Sequence, residues 1–158
     1  AYQDVADRFG SSPYAPRALH KILILEGEGV TPGHRLAAAR RLIAEYPHRG
    51  EAARGAHLLA DSYPQTIRGE ELLSAARVAH KVDHLQERPG WLVTQGLVLR
   101  DLGRREEAVQ ALRAAREEAL TLQQRSGEPG SGLATFRAQI DSALVEADRL
   151  LRELGAAG

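Results

Sequence analysis

Apolar positions recur at three- and four-residue spacings through nearly the whole chain, and no stretch alternates long enough to predict a strand. Ala, Leu, Arg and Glu fill these segments while Val, Ile, Thr and aromatics are sparse, so local propensity agrees with the pattern. Eight helices are predicted, over 1–9, 13–26, 32–46, 50–63, 68–86, 89–102, 104–124 and 132–154. The breaks have local causes. Thr31 before Pro32 is an N-cap followed by proline at the first helical position, where a missing N–H costs nothing. Pro47, Pro64 and Pro89 close or open segments, and Gly103 falls where a left-handed residue would end one helix before "RREEA" begins the next.

The end of the chain differs from the rest. "RSGEPGSG" (125–132) is a flexible connection, and with no strand before it its glycines are not a phosphate loop. Beyond it, Phe136, Ile140, Leu144, Ala147, Leu151 and Leu154 trace one stripe of an amphipathic helix, expected over 133–154 to cover the last unit of whatever precedes it.

A helix pair that cannot bury its own face must stack on copies of itself, so internal repetition is the informative test. Sliding the chain by 37 residues sets Phe9 beside Tyr46, Gly10 beside Pro47, Ala15 beside Ala52 and Arg17 beside Arg54. A weaker copy near Leu72–Pro89 keeps the "AARVA" helix, and the clearest unit is "GWLVTQGLVLRDLGRREEAVQALRAA". There Trp91 and Leu92 stand near the start, followed by Gly96, Leu99, Leu102 with Gly103, Ala108, Leu112 and Ala115. That succession of small and large residues resembles the tetratricopeptide repeat, in which small positions let two helix backbones approach and large ones fill the remaining space. Tyr2, Phe9, Ser12, Pro13, Tyr14, Ala15 and Ala18 are similar to the variant found in bacterial cell-envelope proteins, such as barrel-assembly lipoproteins and Tol-Pal coordinators, although Gly10 stands where that pattern has proline.

The resemblance implies an all-α fold, a right-handed α-α superhelical solenoid of TPR-like helix pairs over 1–124, with a loop at 125–132 and a C-terminal capping helix. It also implies a bacterial, non-catalytic protein–protein interaction scaffold. The first helix of each pair (13–26, 50–63 and 89–102) would line a concave groove for a peptide or helix of a partner. Carrying the phase of the clearest unit to the others leaves Leu92, Gly96 and Leu99 for packing. His20, Leu23, His57, Asp61, Leu97, Arg100 and Asp101 are then the expected partner-binding residues, with Ile24, Ala53, Ala60 and Val93 at the same phase. Two other roles stay open: self-association as a homo-oligomer through the outer face or an open end, and a regulatory spacer within a larger protein. Periplasm, cell envelope and cytoplasm all remain open.

Composition narrows the chemistry. Twenty-one basic and 21 acidic residues cancel, so no global field favours nucleic acid or an anionic membrane. All the basic residues but Lys21 and Lys81 are Arg, which fits GC-rich coding better than a run of phosphate contacts. The absence of Cys excludes disulfides, thiolate metal sites and cysteine nucleophiles. The longest apolar run, Ile22–Leu25, is too short to cross a bilayer. "HKVDH" places His80 and His84 four apart with Asp83 beside them, a spacing that can hold a divalent metal, but Lys81 stands where the zinc-protease motif needs Glu. His57 and Asp61 form a second (i, i+4) pair, which reads as a surface pair rather than half of a catalytic dyad. A His-based metal hydrolase is therefore the least favoured reading, and no metal or cofactor is expected. With no Met in the chain, it is expected to derive from a longer or processed protein. Within the array, 1–9 would then be an outer helix lacking the partner that precedes it.

Overall fold

The computed structural model describes residues 1–25 and 29–156. Those residues form eight α-helices and no strand: α1 (Tyr2–Arg8), α2 (Tyr14–Ile24), α3 (Pro32–Glu45), α4 (Gly50–Asp61), α5 (Gly69–Val82), α6 (Arg88–Asp101), α7 (Arg105–Ser126) and α8 (Arg137–Glu153). Single 3-10 turns at Leu85–Glu87 and Ala134–Phe136 precede α6 and α8. The end of the expected 13–26 helix, Glu26, lies outside the described residues. The chain divides into two compact units, Ala1–Val82 and Asp83–Gly158.

In the first unit each helix packs on the next, and α2 also packs directly on α4. Helix α3 begins as its sequence predicts: Thr31 Oγ1 accepts from His34 N–H at 3.2 Å, with Pro32 at the first helical position. His34 Nδ1 in turn takes the Thr31 N–H at 3.3 Å, so a histidine fills the reciprocal place usually held by Glu or Gln. The core joins Ala6 of α1, Leu19 and Ile22 of α2, and Ala38 and Leu42 of α3. Gly55 lets α4 lie against α3, since a Cβ there would stand 2.9 Å from the Ala39 carbonyl oxygen.

The 37-residue offset is visible in the backbone. Helix α1 ends at Phe9 with φ −126 and ψ 41, and α3 ends at Tyr46 with φ −130 and ψ 47. Ser12 N–H donates to Phe9 O and Ala15 N–H to Ser12 O; Arg49 N–H donates to Tyr46 O and Ala52 N–H to Arg49 O. The two turns therefore share one conformation and one hydrogen-bond pattern. Tyr46 also reaches back to the earlier turn, its hydroxyl donating to Gly10 O at 2.7 Å. Helix α3 is tied to α1 and α5 by long side chains: Arg41 to Asp7 at 2.7 Å and Arg40 to Glu71 at 2.5 Å. Hydrogen bonds from Gln3 and Arg41 hold the Asp7 carboxyl below its ordinary range.

In the second unit α6, α7 and α8 all pack on one another. Leu92 and Val93 meet Val109, Leu112 and Ala115 of α7 and Ala147, Leu150 and Leu151 of α8, while Ile140 joins Ala119, Leu122 and Leu133 in a second cluster. Gly103, with φ +74, ends α6 as expected. Arg104 N–H donates to Leu99 O and Gly103 N–H to Arg100 O, the paired bonds of a Schellman ending. Gly155, at φ +65, closes α8 with the same pair of bonds to Leu151 and Arg152.

Two expected helices are shorter than their pattern. The 68–86 helix stops at Val82, because the Asp83 carboxylate accepts from His84 N–H at 2.9 Å and from Trp91 Nε1 at 2.7 Å, turning the chain toward α6. The 132–154 helix starts at Arg137, after left-handed Gly132 and the 3-10 turn. Phe136 consequently leaves the buried stripe and is exposed.

Candidate partner-binding surface

The residues expected in a groove fall into two groups. His20 and Leu23 lie on α2 and His57 and Asp61 on α4, in the first unit; Leu97, Arg100 and Asp101 lie on α6, in the second.

On α2 and α4 the expected surface is part polar and part consumed by packing. His20 is half-buried and faces α4, whose Arg54 and Glu51 act on it electrostatically. Burial, followed by the Arg54 charge, pushes the His20 pKa below its ordinary value, so the ring favours its neutral form. Leu23 is half-buried against the α1–α2–α3 core rather than free for a partner. His57 is half-buried and Asp61 exposed, one turn apart on α4, while Ala53 is wholly buried. Arg54 and Glu51 were not singled out by sequence. The signal available for them was the repeat offset itself, which aligns them with Arg17 and Tyr14.

On α6 the expected inward face is covered by α8. Val93 is buried, and Leu97 packs against the α6–α7–α8 cluster. Arg100 pairs with Asp101 and with Glu153 of α8, both at 3.0 Å. Val93, Leu97 and Arg100 thus join α6 to the terminal helix, and Asp101 is the exposed member of the group. None of the residues chosen from sequence lines the open cleft of about 430 Å3 along α7, which is walled by Leu85, Arg88, Glu117, Glu118, Thr121 and Arg125.

The candidate metal spacing does not survive the end of α5. Because the helix stops at Val82 and His84 has extended backbone at ψ 152, His80 and His84 do not share a helix face, and Asp83 is committed to His84 N–H and Trp91.

Fold and surface together define an all-α protein built of stacked helix pairs with an internal structural repeat. Among protein-family models, curated proteins and solved structures, nothing matches this chain.

Proposed function

We propose that the chain is a non-catalytic protein–protein interaction scaffold of TPR-like helix pairs, taking a peptide or helix of a partner along the α2/α4 layer. The observation that carries this reading is the repeated turn at Phe9–Ala15 and Tyr46–Ala52, the mark of an array assembled by stacking copies of one unit. The spacing of the layers supports the choice of face. Helices α2 and α4 pack directly, whereas α3 reaches α1 and α5 through arginine side chains, which favours α2/α4 as the closer-packed layer. That layer offers two half-buried histidines, His20 and His57, with Arg54 and the exposed Asp61 beside them. Such a surface suits a segment recognised by shape and a few charge-assisted hydrogen bonds.

The test is a peptide-library selection on the purified chain, followed by affinity measurements of the enriched peptides on Asp61→Arg and His20→Glu variants of unchanged helicity. A loss of about tenfold or more is expected on at least one variant, as for charge reversal inside a recognition surface. Peptides that bind both variants as well as the parent chain would remove the α2/α4 layer from consideration.

A further inference from the structure

The open cleft of about 430 Å3 in the second unit has Leu85 and Arg88 on one wall and one face of α7 on the other. Glu117, Glu118, Thr121, Leu122 and Arg125 follow one another at helical spacing, so they line that face over more than two turns. Leu122 is buried and Leu85 is 43% exposed, which gives the cleft an apolar middle. Its charges are sorted along its length. Glu117 and Arg125 are both exposed and stand eight residues apart, about 12 Å along the helix axis. Neither forms an ion pair among the described residues. Between them Thr121 Oγ1 spends its hydrogen on Glu117 O at 3.0 Å and keeps its lone pairs for another donor. Across the cleft, Arg88 Nε is buried with no acceptor, and its Nη2 lies 3.9 Å from Glu118, beyond hydrogen-bond distance. The arginine therefore has donors to spare for a carbonyl.

We propose that this cleft takes an extended peptide segment carrying a cationic side chain and a carboxylate four residues apart, the cation against Glu117 and the carboxylate against Arg125. Four residues of extended chain span about 13 Å, matching the separation of the two charges on α7. The same period of two puts positions i, i+2 and i+4 on one face, so an apolar residue midway meets Leu85 and Leu122. Arg88 and Thr121 then serve the main chain, one donating to a peptide carbonyl and the other accepting from a peptide N–H. A helical ligand fits less well: a helix about 10 Å wide and 12 Å long fills about twice the volume of the cleft. None of these residues belongs to α2 or α4, so the cleft stands or falls separately from that layer.

Capped synthetic peptides titrated into the whole chain, with binding read and located by amide chemical shifts, test the assignment. Lys-Ala-Leu-Ala-Glu is compared with Lys-Ala-Leu-Glu-Ala, which moves the charges to opposite faces at identical composition, and with versions carrying two Lys or two Glu four apart. The first is expected to bind at least about threefold more tightly than the other three, with shifts centred on Leu85, Thr121 and Leu122. Arg125→Glu should bring the two-Lys peptide to the front, and Glu117→Arg the two-Glu peptide; both sites are exposed, so either variant serves if the other folds poorly. Arg88→Gln should weaken all four to a similar extent, because its contact is with the main chain. Equal binding of the rearranged peptide, an order that neither charge variant moves, or parent-like binding by Arg88→Gln would overturn the proposal. Shifts confined to α2 and α4 would overturn it while supporting the other layer, and a dimer in sedimentation that Arg125→Glu dissolves would give the cleft to a second copy instead.

Discussion

A single methyl group added at Gly96 probes how closely α6 and α7 must approach. A Cβ built there lies 2.5 Å from both Cγ and Cδ2 of Leu112 and 3.3 Å from its Cδ1, and Leu112 is wholly buried. Comfortable carbon–carbon contact needs about 3.5–4.0 Å, so the shortfall is about 1 Å. Rotating the end of the leucine cannot remove it, because Cγ itself is struck. Overpacking of this kind costs about 1–3 kcal/mol, while replacing glycine by alanine within a helix returns up to about 1 kcal/mol. Gly96→Ala is therefore expected to destabilise the second unit by about 1–2 kcal/mol. Gly90, on the same helix, has no atom within 4 Å of its would-be Cβ, so Gly90→Ala isolates the backbone term and should be neutral or slightly stabilising. Urea unfolding followed by the fluorescence of Trp91, the single tryptophan and only 3% exposed, reports directly on this unit. A double-mutant cycle with Leu112→Ala sharpens the test. Removing the struck side chain should relieve the clash, giving a favourable coupling of about 1 kcal/mol or more. A Gly96→Ala protein as stable as the parent, or a cycle that is simply additive, would refute the close approach.

Two further outcomes follow from the first unit. Tyr46→Phe gives the second copy the aromatic ring of the first and removes the bond to Gly10 O, which should cost about 0.5–1.5 kcal/mol in thermal or urea unfolding; an unchanged midpoint would mean that the tie between the two turns contributes nothing. His20 has its pKa lowered by burial and by Arg54, so the unfolded chain binds a proton there more readily than the folded one. Its contribution is intact above the ordinary histidine value of 6.5 and is lost as the pH falls through that value toward the lower folded one, so His20→Gln should flatten the stability profile across this window. Identical profiles for parent and variant would contradict the assignment.

What could be read from the sequence was what neighbouring residues decide among themselves. The eight helices follow from apolar spacing and propensity; the start of α3 follows from Thr31 and Pro32, and the end of α6 from Gly103. The end of α5 was not legible, because Lys81 and Val82 keep helical propensity. What stops the helix is a carboxylate at Asp83 held by the indole of Trp91, eight residues further on. The packing of α6 against α8 was not legible either, for a related reason. Whether Val93, Leu97 and Arg100 face solvent depends on where α8 lies, and α8 returns only after the long α7 and the connection that follows it. Helical phase says which residues share a face but not which face a later helix covers.

The repeat escapes that difficulty, because an offset compares two places in the same chain instead of one place with a general rule. Phe9 and Tyr46 match in sequence position, in backbone angles and in the turn that follows, but only Tyr46 carries the hydroxyl that reaches back to Gly10 O. One aromatic is engaged through its hydroxyl and the other is 58% exposed. Glu51 and Arg54 act electrostatically on His20 of α2, while their counterparts Tyr14 and Arg17 are exposed.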